Sequence, residues 1–209
     1  MSFILPWRDR PLKPYKALAP VIQLDPQRVR FIRRRRPEPF CWFTGMEVNG
    51  LPWPARRGRW DQWVETFSDH TTYRLVQEVL DADLQYECTA TFQGALTKLK
   101  KRGVVRLGRG ERHAFSIESD LHQYFSGIAN LLYSMSQRGY DPEASPMGLA
   151  IGRDGCLIKE KHGHHRLAAA QLLGVKVVSF SIVTIHLQWL LEHLSIFKDH
   201  PKWLQDALK

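Results

Sequence analysis

The sequence predicts a mixed α/β fold, and three observations carry that expectation. Apolar residues recur at helical spacing from Leu121 to Met135, and a β-branched run extends from Val175 to Ile185. Between them, Met147–Ile151 and Cys156–Lys159 flank Arg153-Asp154-Gly155, the signature of a hairpin turn. Helix and strand signals thus alternate within one stretch, and 209 residues with 44% hydrophobic content are enough to bury a core.

The elements follow in order. Residues 1–60 carry nine of the twelve prolines and read as an extended arm, with at most a short strand near Val29–Ile32. Five of the seven tryptophans fall within residues 1–63, so the arm is expected to pack on a core; a stacking platform for bases is the sharper alternative. Residues 61–103 read as mainly helical. Trp60, Trp63, Val64 and Phe67 recur at helical spacing, Thr72–Leu80 places Tyr73, Val76 and Leu80 on one face, and Phe92–Lys101 continues the pattern. From residue 104 to 209 the pattern is α/β, opening with a short strand at Val104–Leu107. Ser119 or Asp120 is placed to cap the Leu121–Met135 helix and Gly139 to stop it. Leu167–Leu173 reads as an Ala/Leu-rich helix ended by Gly174, and His186–Phe197 as a last helix with Trp189, Leu190 and Leu194 inward.

Charge is distributed unevenly. Residues 1–60 hold thirteen Lys and Arg against four Asp and Glu, while the rest of the chain holds seventeen of each, so the net +9 comes from the first segment. Arg33, Arg34, Arg35 and Arg36 form its densest run, suited to nucleic-acid phosphates, an anionic surface or an acidic partner, or serving as a solvated basic loop. Pro37 and Pro39 argue against a continuous basic helix there. No run is apolar enough to span a bilayer, the amino terminus does not read as a secretory signal, and Cys41, Cys88 and Cys156 form neither a zinc pattern nor a disulfide framework. A cytoplasmic protein without a transmembrane segment is expected.

The strongest local feature is Lys161-His162-Gly163-His164-His165-Arg166, where a strand runs through a glycine into a helix. First-turn amides of a helix have no intrahelical acceptor, and glycine lets an anion approach closely. His164, His165 and Arg166 add donors, which makes the turn a candidate phosphate cradle. The H-x-H-H spacing also invites a metal, but no Cys or carboxylate at a familiar spacing completes a set.

From about Leu131 to Trp189 the chain resembles the ParB/sulfiredoxin-like superfamily. The resemblance rests on Ser134 to Gly139 at a helix end, the Ile151-Gly152-Arg153-Asp154-Gly155 hairpin, the G-x-H-R-x-x-A motif of Gly163 to Ala169, and a following helix, Leu-Gly and strand. The pair His186 and Trp189, with Gly58, Trp60 and Asp61 upstream, resembles stand-alone members of the group. What the resemblance implies is a nucleotide-binding core over residues 104–209 that holds ATP or CTP with Mg²⁺ at Gly163, His164, His165 and Arg166. Sulfiredoxins carry a cysteine where His164 stands, so their chemistry is not expected. ParB proteins carry an acidic residue at that position and a further DNA-reading domain, for which too little chain follows. Kinase-like members place an Asp where His162 stands and a carboxylate base near the helix that here begins after Ser119.

Glu111, Glu118 and Asp120 are therefore the candidate catalytic carboxylates, taking a proton from a substrate hydroxyl. Helix capping is the plainer role for Ser119 and Asp120, and turn formation for Asp154. The first functional expectation is an ATP-dependent phosphotransferase acting on a small hydroxyl-bearing molecule or sugar. The alternative is a nucleic-acid-binding module, with or without nuclease activity, that uses the basic arm. A third is a degenerate fold member that serves as a protein-interaction partner.

Overall fold

Strand-forming alternation begins with Val21–Leu24 (β1), where Ile22 and Leu24 are buried and Val21 and Gln23 exposed. The computed structural model describes residues 20–34, 46–48, 51–53, 55–107, 114–193 and 202–208. After β1 come β2 (Phe31–Arg33), a hairpin of β3 (Met46–Val48) and β4 (Leu51–Trp53), β5 (Ala55–Arg56) and β6 (Val64–Thr66). Helices α1 (Thr71–Asp81) and α2 (Ala90–Arg102) precede a short ladder of β7 (Val105–Arg106) with β8 (Ala114–Phe115) and the long α3 (Glu118–Arg138). The remainder is β9 (Met147–Ile151), β10 (Leu157–Lys159), α4 (His164–Leu172), β11 (Val178–His186), α5 (Leu187–His193) and α6 (Lys202–Ala207).

The result is the mixed α/β fold expected. Its main sheet runs β1-β11-β9-β10-β2-β6, with β5 beside the carboxyl end of β11. β9 and β10 form an antiparallel hairpin, and α4 then carries the chain back so that β11 lies parallel to β9. Alternation across β9 and β10 sorts the two sheet faces. Met147, Leu149, Ile151 and Leu157 join the large core with Val76 of α1, Phe125 of α3 and Leu167 of α4, whereas Ala150 and Ile158 meet Trp60 on the other side.

Local chemistry explains most helix ends. The His70 imidazole accepts the Thr72 amide at 3.2 Å to open α1, and Thr89 Oγ1 accepts the Phe92 amide at 3.3 Å to open α2. Gly139 ends α3 with φ 74°, as its position predicts. The capping expected of Ser119 or Asp120 is not found: α3 begins earlier, at Glu118, Ile117 is its N-cap, and Asp120 sits inside the first turn, where its charge suits the helix dipole. α4 likewise begins three residues before the expected Leu167, at His164.

Two stretches differ more. The helical spacing of Trp60, Trp63, Val64 and Phe67 belongs to two 3₁₀ turns, Trp60–Gln62 and Phe67–Asp69, with β6 between them. Trp60 and Phe67 are buried in different clusters, which one short helix face could not achieve. The proline-rich first segment supplies more than the short strand expected, since β1, β2 and β5 all enter the main sheet.

Candidate functional site

The turn between β10 and α4 is built around a buried cation. Lys159 is the last residue of β10 and is fully buried. Its Nζ donates to the carbonyls of Gly148 at 3.0 Å, Lys161 at 2.8 Å and His162 at 2.5 Å, and also contacts the Glu160 carbonyl. Burial pushes the Lys159 ammonium down to about 7; the Glu160 carboxylate opposes that shift and Arg166 adds to it. Glu160 in turn accepts Nη1 of Arg33 at 3.1 Å, which ties β2 to the turn.

The chain leaves this cage through two left-handed residues, His162 with φ 50° and Gly163 with φ 80°. Gly163 is the N-cap of α4, and a Cβ there would stand 2.6 Å from Cγ of Met147 and 3.3 Å from Nη2 of Arg166. Glycine is thus required twice, by conformation and by the buried methionine beneath it. Residues Gly163 to Arg166 are half-buried, so this is an open surface turn.

Neighbouring elements hold the three side chains that follow. The His164 ring stacks on His70, with centroids 6.0 Å apart and 21° between planes, so the amino ends of α1 and α4 lie side by side. His165 Nε2 lies 3.0 Å from the Tyr124 hydroxyl of α3. Burial pushes Tyr124 up to about 12, so it keeps its proton as a hydrogen-bond donor at neutral pH. Arg166 extends back over the preceding loop, donating from Nη1 to the Ser145 carbonyl at 2.6 Å and from Nη2 to its hydroxyl at 3.4 Å. Chemically, the turn offers first-turn amides, a guanidinium and two imidazoles above a buried ammonium, all suited to an anion.

The candidate carboxylates are placed differently from one another. Glu118 reaches Lys100 of α2 at 3.7 Å and lies 3.8 Å from His122, one turn further along α3. Asp120 is exposed and stands one helical turn before Tyr124, on the same stripe of α3. Glu111 lies outside the described residues. Within the arginine run, Arg33 belongs to β2 and pairs with Glu160, and Arg34 is exposed with Glu65 at 3.7 Å. Arg35 and Arg36 lie outside the described residues.

A second buried charge, the Asp61 carboxylate, adjoins the hairpin. Asp61, 6% exposed, accepts Nε of Arg153 at 2.8 Å, Nη2 at 2.7 Å and its backbone amide at 2.9 Å, while Nη2 also donates to the Gly58 carbonyl at 2.9 Å. His186 accepts the Gln188 amide on Nδ1 at 3.2 Å, which leaves Nε2 to donate to Gly58 at 3.0 Å. The resemblance groups Gly58, Trp60, Asp61 and His186, and Arg153 completes the set in the structure. Asp61 and the Nε and Nη2 of Arg153 are used within this latch, which fastens residues 58–61 to the hairpin.

Two clefts, of about 440 Å³ beside His186 and Leu191 and about 330 Å³ beside Gly155 and Trp189, share no residue with the α4 turn. Among the described residues no three His, Cys, Asp or Glu side chains converge as a metal site. The described residues of the turn thus offer no protein cage for Mg²⁺. No described helix is long and apolar enough to cross a membrane. No protein-family model, curated protein or solved structure matches the chain.

Proposed function

We propose that the chain binds the phosphates of a nucleotide, ATP or CTP, at Gly163–Arg166 and transfers phosphate to a small hydroxyl-bearing molecule. The observation that carries the reading is Gly163 in the left-handed conformation at the start of α4, with Arg166 beside it. That conformation lets an anion approach first-turn amides and a guanidinium at once, in a field made more positive by the buried Lys159. The G-x-H-R resemblance supports a nucleotide over other anions. Of the candidate carboxylates, Asp120 supports the transfer best, because it shares the Tyr124 stripe of α3 and Tyr124 touches His165. The nucleic-acid alternative is supported less, since Arg33 is already committed to Glu160.

Calorimetry of the full chain with ATP, ADP and CTP in the presence of Mg²⁺ tests the reading. Saturable binding of at least one nucleotide is expected, with loss of the terminal phosphate when hydroxyl compounds are supplied. No binding of any of the three removes it.

Arg166→Ala refines the test. It should weaken nucleotide affinity by about 1.5–3 kcal/mol, the range for a hydrogen bond to a charged group. Stability should fall by only about 0.5–1.5 kcal/mol, because the lost native contacts are those to Ser145 at the surface. Unchanged affinity with a large drop in melting temperature would make Arg166 a purely structural clamp.

A further inference from the structure

We propose that Lys159 is a tethered cation that shapes the 160–163 turn for anion binding, and that losing its proton releases the turn. The role in anion binding rests on the nucleotide reading above; the role in shaping the turn does not.

Four carbonyls converge on one ammonium: Gly148, Glu160, Lys161 and His162. Two of them have a second donor, since Gly148 O also accepts the Glu160 amide at 3.1 Å and Lys161 O the Gly148 amide at 3.2 Å. The Glu160 and His162 carbonyls depend on Lys159. In a trans peptide the carbonyl and the next amide point to opposite sides. Drawing the carbonyls of residues 160–162 inward therefore turns the amides of Lys161, His162 and Gly163 away from the ammonium. Those amides lead directly into the first turn of α4, so the cation on the inside arranges donors on the outside, as in an anion-binding nest. A leucine or methionine would fill the same space and arrange none of this.

Charge state is the second part. An ammonium carries a charge that attracts all four oxygens. A neutral amine has lost that charge and one hydrogen and turns a lone pair toward the converging carbonyls, so deprotonation loosens the cage. Lys159 loses its proton near neutrality rather than near 10.5. The charged neighbours are Glu160, next in the turn, and Arg33 of the adjoining strand, and α4 adds Arg166. The other groups that titrate around the turn are His162 within it, His164 and His165 on α4, His70 from α1 and Tyr124 from α3. A test must separate Lys159 from these imidazoles.

The experiment is a pH titration of the full chain by NMR, without ligand, following the Lys159 side-chain carbon and the amides of residues 160–166, in wild type and Lys159→Met. In parallel, affinity for ATP and for inorganic tripolyphosphate is measured at about pH 6 and pH 9. Wild-type amides should shift with the Lys159 midpoint, near 7. The Lys159→Met protein should lose that transition and keep only the histidine ones. Polyphosphate affinity should fall about tenfold or more over the range in wild type, and be low with a flatter pH profile in the variant. Partial recovery of affinity by methylammonium in Lys159→Ala is also expected, as the small cation re-enters the cage.

Turn amides that are identical in Lys159→Met and wild type at pH 6 would overturn the proposal. So would a Lys159 carbon that titrates with no response from the turn, and this wild-type result decides the matter if neither variant folds. A turn that follows Lys159 in a protein binding no polyphosphate at any pH supports the shaping role and overturns only the nucleotide reading.

Discussion

Asp61→Ala is expected to cost about 2–4 kcal/mol of folding stability, somewhat below the range for a fully buried ion pair because Arg153 is partly exposed. For a chain of this size that is a fall of roughly 10 °C in melting temperature. The magnitude follows from what is left behind. Arg153 would keep only the Gly58 carbonyl for its five donors, and its backbone amide would lose its acceptor. Residues 58–61 would lose their fastening to the hairpin, and Trp60, fully buried against Ala150 and Ile158, depends on that fastening. Asp61→Asn keeps the shape and one acceptor oxygen, so it should cost less. Denaturant titration measures both, and a loss below about 1 kcal/mol for alanine would mean the latch contributes only packing.

The same pair carries a pH signature. Burial alone would raise the Asp61 carboxyl, but the Arg153 side chain and amide, with His186 nearby, outweigh burial and hold it below 3.8. A carboxylate whose folded value lies below its unfolded value contributes stability that is present above the unfolded value and lost as pH falls through the folded one. Wild type should therefore lose stability below about pH 4 more steeply than Asp61→Asn.

What was legible in the sequence was whatever depends on near neighbours. The α3 stripe, the β9–β10 hairpin with its Asp-Gly turn and the glycine at the start of α4 are all decided within a few residues. What stayed hidden depends on partners far along the chain. β1 is four residues long between two prolines and becomes a strand only because β11, about 160 residues later, offers a ladder. Asp61 and Arg153 are 92 positions apart, and neither residue alone announces a buried pair. Lys159 left a fainter trace: it is a lone charge at the end of a strand whose other two residues are apolar and buried. In an interior strand such a charge needs partners, and here they are backbone carbonyls, which no residue pattern encodes. Glu118 was legible as a first-turn acid, but its approach to Lys100 is set by how α2 packs on α3.

The second large effect concerns Gly163, where fold and candidate site meet. Gly163→Val should cost about 2–5 kcal/mol, combining left-handed strain for an L side chain with overpacking against Met147. Relief is limited because Met147 is itself fully buried in the core beside Leu167, so its Cγ, 2.6 Å from the new Cβ, has little room to move. Gly163→Ala meets the same first contact without the β-branch and should cost less. Under the nucleotide reading, both variants should also lose affinity by more than their stability loss explains, because the α4 amides tilt and the open approach closes. Gly127→Ala in α3 is the matched control: it lies in a helix, a Cβ there meets nothing within 4 Å, and the substitution should stabilise by about 0.5–1 kcal/mol with no effect on binding. Melting curves and nucleotide titrations on the three variants separate the two roles. If Gly163→Val melts with wild type, the left-handed start of α4 is not the native conformation and the cradle loses its geometric basis. If it melts lower but binds with wild-type affinity once folded, Gly163 serves packing alone and the phosphates lie elsewhere.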